Sequence, residues 1–132
     1  MPKKQSRVQV VLEFPIKCSP GLLYNYINSA SGLQEWFAHK VMTKSRTDYV
    51  FQYDDGQEVK ATLLKAVPNK LCRFHFENTP ADEYIEMDII VDELTEDVAL
   101  KVTEFCNEDE KRETEEVWHA QIETLKDVIG AA

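Results

Sequence analysis

The sequence predicts an α+β domain in which a curved antiparallel sheet of about six or seven strands wraps around one long C-terminal helix, with two short helices after the first strand. Three observations predict it. From about residue 38 to Phe105 the apolar residues recur with a period of two, as in half-buried strands. The segments between these runs are only a few residues long, which antiparallel neighbours permit and parallel ones do not. After Asn107 the period changes to three and four and holds to Ile129, as in a helix with one buried stripe.

Each element has its own justification. In residues 7–14, Val8, Val10, Leu12 and Phe14 share one face of a strand. Ser19-Pro20 then offers an N-cap with Pro at the first helical position, and Leu22, Leu23, Tyr26 and Ile27 follow at helical spacing. Ser31 starts a second short helix whose apolar side carries Leu33, Trp36 and Phe37. HKVMT and DYVFQY read as strands, the second with Tyr49, Phe51 and Tyr53 on one face, and Asp54-Asp55-Gly56 turns the chain because Asp-Gly tolerates positive φ. EVKATLLKAV places Val59, Ala61, Leu63 and Val67 together, which puts Lys65 on the same inner face by parity. LCRFHFE sets Cys72, Phe74 and Phe76 against Arg73, His75 and Glu77. EYIEMDIIVDE sets Ile85, Met87, Ile89 and Val91 against polar neighbours, and DVALKVTEF aligns Val98, Leu100, Val102 and Glu104. Every strand therefore has one apolar face, so the sheet is covered on one side.

The cover is a helix over about 108–129. Asn107 and Glu110 form a capping-box-like pair, and Glu108, Asp109 and Glu110 suit the positive end of the helix dipole. Its stripe is Thr114, Trp118, Gln121, Ile122, Leu125 and Ile129, and Gly130 ends it in a left-handed cap.

The 132 residues suit one domain, 1–132. The net charge is −9, which repels phosphate backbones and argues against nucleic acid. The charge is divided: residues 1–81 hold 11 bases and 7 acids, and residues 82–132 hold 4 bases and 17 acids. Either the halves neutralise each other across strands, or an acidic face meets a basic protein partner. Three cysteines without CxxC spacing make neither a disulfide framework nor a zinc site, and reduced thiols imply a cytoplasmic home. MPKKQSR is followed by no apolar h-region, and no apolar run is long enough to span a membrane.

The element order, together with Ser19-Pro20 and the Leu33-Gln34-Glu35-Trp36-Phe37 end of the second helix, resembles the START-like, or SRPBCC, helix-grip superfamily. It is most similar to the branch named for the activator of the Hsp90 ATPase. Thr47-Asp48-Tyr49-Val50-Phe51 stands where that branch commonly has Gly-Gly-x-Phe. The resemblance implies a cavity between the concave sheet and the long helix, used by family members for apolar molecules, in a few cases for catalysis, and in others alongside chaperone function.

No catalytic constellation, metal site or cofactor motif is read. His39, His75 and His119 sit on separate elements, and there is no GxSxG elbow or Gly-rich phosphate loop. Cys72 reads as a small core residue. Trp36, Phe51, Tyr53, Phe74, Phe76, Met87, Leu100, Trp118 and Ile122 are the expected ligand-lining residues, and they suit a filled core equally well. Lys65 and Glu104, ionisable groups on the inner face, or a tyrosine, are the candidate acids or bases of an enclosed site. The leading reading is a non-enzymatic binding domain for a small apolar or amphipathic ligand. The alternatives are a protein-interaction module using the acidic surface and an enzyme of the cyclase or hydrolase kind. No feature sets an oligomeric state.

Overall fold

Seven strands form one antiparallel sheet in this computed structural model, which describes residues 6–130. The basic N-terminal stretch, residues 1–5, lies outside the described residues. The strands are β1 (Arg7–Pro15), β2 (Lys40–Thr43), β3 (Asp48–Gln52), β4 (Glu58–Val67), β5 (Leu71–Phe76), β6 (Ile85–Val91) and β7 (Val98–Asn107). Their order across the sheet is β1-β7-β6-β5-β4-β3-β2. The first strand is thus one edge and the second is the opposite edge. Six strand spacings of about 4.8 Å separate them, roughly 29 Å. The two short helices, α1 (Pro20–Asn28) and α2 (Ala30–Gln34), make that crossing. The chain then returns strand by strand to lie beside β1.

The helices start where the side chains provide caps. The Ser19 hydroxyl accepts from the Leu22 N–H, with Pro20 opening α1. The Ser29 hydroxyl accepts from the Gly32 N–H at 3.0 Å and opens α2. The C-terminal helix begins with a single 3₁₀ turn (Glu108–Glu110) before α3 (Lys111–Ile129). The Asn107 N–H donates to the Glu110 carboxylate at 3.4 Å, while the Asn107 side-chain oxygen accepts from Arg7 at 2.9 Å. Gly130, at φ 79°, closes α3 in the left-handed region.

The parity of the strands is as the sequence predicts, with one exception. Leu100, Val102, Met87, Ile89, Cys72, Phe74 and Phe51 are buried on the inner face, and Trp118, Ile122 and Leu125 of α3 close on them. The exception is the second half of β4. Leu63 pairs with Phe74, but Lys65 pairs with Arg73 and Ala66 with Cys72, because a bulge at Leu64 adds one residue to the strand. The extra residue reverses the alternation beyond it. Lys65 is therefore an exposed residue of the outer face, and Val67 leaves the inner row with it.

The divided charge is spent across strands. The Arg7 guanidinium grips the buried Glu83 carboxylate with two donors. Lys70 pairs with Asp88 at 2.6 Å and Arg73 with Glu86 at 2.7 Å. Each pair joins a base of the first 81 residues to an acid of the remainder.

Two substitutions test this architecture. Trp118→Ala removes the largest side chain of the α3 stripe and is expected to cost about 3–5 kcal/mol in urea denaturation; a loss under about 1 kcal/mol is incompatible with the packing described. A Cβ on Gly32 would stand 2.1 Å from the Asn25 carbonyl oxygen and 2.7 Å from the Tyr26 Cα, both backbone atoms. Gly32→Ala is therefore expected to destabilise by about 2–3 kcal/mol, whereas an unchanged midpoint would mean the α1–α2 corner yields freely.

Candidate functional site

The α1–α2 corner delivers a pair of aromatic side chains to the mouth of the grip. The chain leaves α2 in a tight turn closed by the Phe37 N–H donating to the Leu33 carbonyl at 2.8 Å. This directs Trp36 and Phe37 toward Trp118, with ring centroids 6.3 Å and 5.8 Å away. The Trp36 indole N–H is satisfied by the Tyr26 carbonyl at 2.8 Å, and Gln121 of α3 donates to the Phe37 carbonyl at 3.0 Å. The corner is thereby tied to the middle of α3.

Around this junction runs a cleft in three lobes. The first, about 670 Å³, lies between Gln34–His39, the β3–β4 turn at Tyr53–Asp55, and Ala120, Gln121 and Thr124 of α3. The second, about 260 Å³, lies between that turn and the β5–β6 connection, with Phe76, Tyr84 and Phe105 in its walls. The third, about 300 Å³, runs under the N-terminal half of α3 past Glu110, Glu113, Thr114 and Val117. Tyr53 lines all three lobes, and Ile85 and Glu104 line the second and third. The backbone holds Tyr53 at this crossing. Its N–H donates to the Gln57 carbonyl and its carbonyl accepts from Gly56, both at 2.9 Å, with Gly56 at φ 84° as the Asp-Gly turn predicts.

Glu104 is the chemically distinctive group. It pairs with Val10 in the β1–β7 ladder and so projects from the inner face of the sheet. Burial lifts its carboxyl from the usual range to about 7, against the opposing pull of the Trp118 indole and the Arg7 charge. Arg7 does not neutralise it, since its donors are taken by Glu83 and Asn107. The Tyr53 phenol is pushed up to about 12 by its own burial and by the Glu104 charge. An acid that stays partly protonated near neutrality can donate or accept a proton or a hydrogen bond.

The nine expected ligand-lining residues divide between the cleft and the core. Trp36, Tyr53, Phe76 and Trp118 reach the lobes. Phe51, Phe74, Met87, Leu100 and Ile122 are at most 1% exposed. They are packed into the cluster beneath, with Phe51 between Phe74 and Phe76 at centroid distances of 5.9 and 5.0 Å. Tyr49, another inner aromatic, is part of this core, and its hydroxyl donates to the Asn28 carbonyl at 2.9 Å. Cys72 is fully buried beside Tyr24, its thiol pushed up to about 11 by burial. Cys106 is buried as well, so Cys72 is not alone on the apolar side. Lys65, the other candidate acid or base, is in solvent and does not face the cleft. Phe37, Ile85 and Gln121 line the cleft without having been singled out by sequence; adjacency to Trp36 is the one signal that points to Phe37.

Among the described residues no group of three or more His, Cys, Asp or Glu is placed to hold a metal ion, and no helix is long and apolar enough to cross a membrane.

Comparison with known proteins places this geometry. A family model for the START-like superfamily domain matches residues 4–131. The chain is similar in structure to the Aha1 dimer from Colwellia psychrerythraea, at a TM-score of 0.74 and 20% identity over 92% of this chain and 96% of that one. It is similar also to a protein from Mesorhizobium loti, at a TM-score of 0.76 and 17% identity over 93% and 97% of the two chains. A third similar structure, from Bacteroides fragilis, has a TM-score of 0.61 and 24% identity over 96% and 92%. A search of curated proteins finds no match.

The elevated carboxyl has a consequence for stability. An unfolded glutamate titrates near 4.5 and this one near 7, so the folded state holds the proton more tightly. The stabilisation is fully present below about 4.5 and is lost as pH rises through about 7. Comparing wild type with Glu104→Gln in urea at pH 5 and pH 8, the wild type is expected to lose more stability, by on the order of 1–3 kcal/mol. Parallel profiles would place the carboxyl in bulk-like solvent.

Proposed function

The chain belongs to the START-like superfamily, and on that premise we propose that it is a binding domain for a small amphipathic molecule, held in the cleft past Tyr53 rather than inside the sheet. Domains of this superfamily often bind hydrophobic ligands. The observation that carries the reading is the position of Glu104. It is a half-buried carboxyl at the meeting of two lobes whose walls include Phe37, Phe76, Ile85 and Trp118. The recess has apolar walls with several polar groups converging on it, Glu104 among them, and in such a site burial supplies affinity while the polar groups fix orientation. The tight packing of Phe51, Phe74, Met87, Leu100 and Ile122 leaves these residues as the floor beneath such a site rather than its walls.

The two other function classes have less support. Three ion pairs between the chain halves consume part of the acidic surface that a basic protein partner would need. Lys65, one of the candidate acids or bases of an enclosed catalytic site beside Glu104 and a tyrosine, faces solvent.

The neutral amphipathic dye N-phenyl-1-naphthylamine is expected to bind at one saturable site and to shift the amide resonances of Tyr53, Ile85, Glu104 and Gln121. Ile85→Trp, which fills the junction of two lobes, is expected to abolish binding while the chain stays folded. Saturable binding that leaves those amides unmoved would remove the cleft as the site.

A further inference from the structure

The charge on the cleft lining is one-sided. Glu35, Asp54 and Asp55 line the first lobe, Glu104 stands between the second and third, and Glu110 and Glu113 line the third. Among the described residues no lysine or arginine lines any lobe. The one basic group is His39, at 3.7 Å from Asp54, and both of these side chains are exposed. Glu83 also lines the second lobe but is occupied by Arg7. Elsewhere the pattern is different: on the outer sheet face Lys70 and Arg73 answer Asp88 and Glu86 across strands. Exposed acids such as Glu93 and Glu96 stand elsewhere on the surface as well, but those of the cleft surround a junction made by Trp36, Phe37, Tyr53 and Trp118.

We propose that the cleft selects a cationic amphiphile, an apolar or aromatic body carrying an ammonium group, with the cation seated at Glu104 and the apolar body against Tyr53, Phe37 and Ile85. The inference rests on the binding reading above and adds the charge of the ligand to it.

Three physical arguments support it. A carboxyl withdrawn from water without a cation is held at a cost in free energy that an arriving ammonium relieves. Burial raises the titration of Glu104 against the Trp118 indole and the Arg7 charge, so its charge is only partly compensated. An anion entering the same cleft would meet the carboxylates at Glu104, Glu110 and Glu113 with no base to receive it. Finally, indole and phenol ring faces attract cations as well as apolar groups, so the aromatic junction does not oppose the charge preference set by the rim.

The test compares three probes of equal chain length and different head charge: octylammonium, octyl glucoside and octanoate, each below its micelle concentration. Binding is read at pH 8 and low salt from the amide shifts of Tyr53, Ile85 and Glu104. Octylammonium is expected to bind at least tenfold more tightly than octyl glucoside, and octanoate more weakly than either. Glu104→Gln is expected to remove most of the preference of octylammonium over octyl glucoside. Glu93→Gln, which deletes the same charge from the exposed β6–β7 turn, is expected to change nothing. Equal affinity for all three heads, or tighter octanoate binding, overturns the charge preference and leaves the binding reading standing. An equal loss from Glu93→Gln overturns it too, since the preference would then reflect only the −9 net charge of the chain. Failure of every probe to bind removes both.

Discussion

The inner face of the sheet has to be covered, and α3 is the element that covers it. Four strands, β3, β5, β6 and β7, present fully buried side chains on that side, from Phe51 to Leu100, and Trp118, Ile122 and Leu125 meet them from the helix. Burial of each large side chain contributes about 1.5–3 kcal/mol, far more than any of the half-exposed ion pairs on the opposite face. Once that contact is made, little freedom remains. The position of α3 fixes where Gln121 can reach the Phe37 carbonyl, and so where the α1–α2 corner delivers its aromatic pair.

The same contact determines where a site can exist. The interior beneath α3 is occupied by Phe51, Phe74, Met87 and Ile122, whose rings and chains interlock at ordinary packing distances. Space for the second and third lobes opens where the sheet ends and the helix overhangs it, between the β3–β4 turn, the β5–β6 connection and the first turns of α3. Glu104 projects into that gap from the inner face of β7, opposite Val10 and between Val102 and Cys106. A position that would be core two residues earlier becomes a half-buried carboxyl.

The distribution of charge follows from the fold in a similar way. Beside β5 and β6, bases from early in the chain pair with acids from late in it, and Arg7 ties the first strand to Glu83. These pairs resolve the apparent division of the sequence into a basic and an acidic half. Acids outside these pairs lie along α3 and the cleft and also in the β6–β7 turn, at Asp92, Glu93, Glu96 and Asp97. On α3 itself, Arg112 and Lys126 answer Glu116 and Glu123 only as exposed pairs, which contribute little.

Period and punctuation in the sequence determined the elements: the alternation of Val98, Leu100 and Val102, the spacing of Trp118, Ile122 and Leu125, the caps at Ser19 and Gly130, and the Asp-Gly turn before Glu58. These are local properties, because each follows from how a strand or helix displays its own side chains. Tertiary structure alone decided the rest. The bulge at Leu64 carried Lys65 to the opposite face, and strand alternation has no means of showing an added residue before the partner strand is seen. The division of the aromatic residues between floor and cleft also lay beyond sequence. Phe51 and Tyr53 share a parity, yet one is sealed between Phe74 and Phe76 and the other stands at the mouth. What separates them is distance from the sheet's end, a property of how seven strands and a helix meet rather than of either residue.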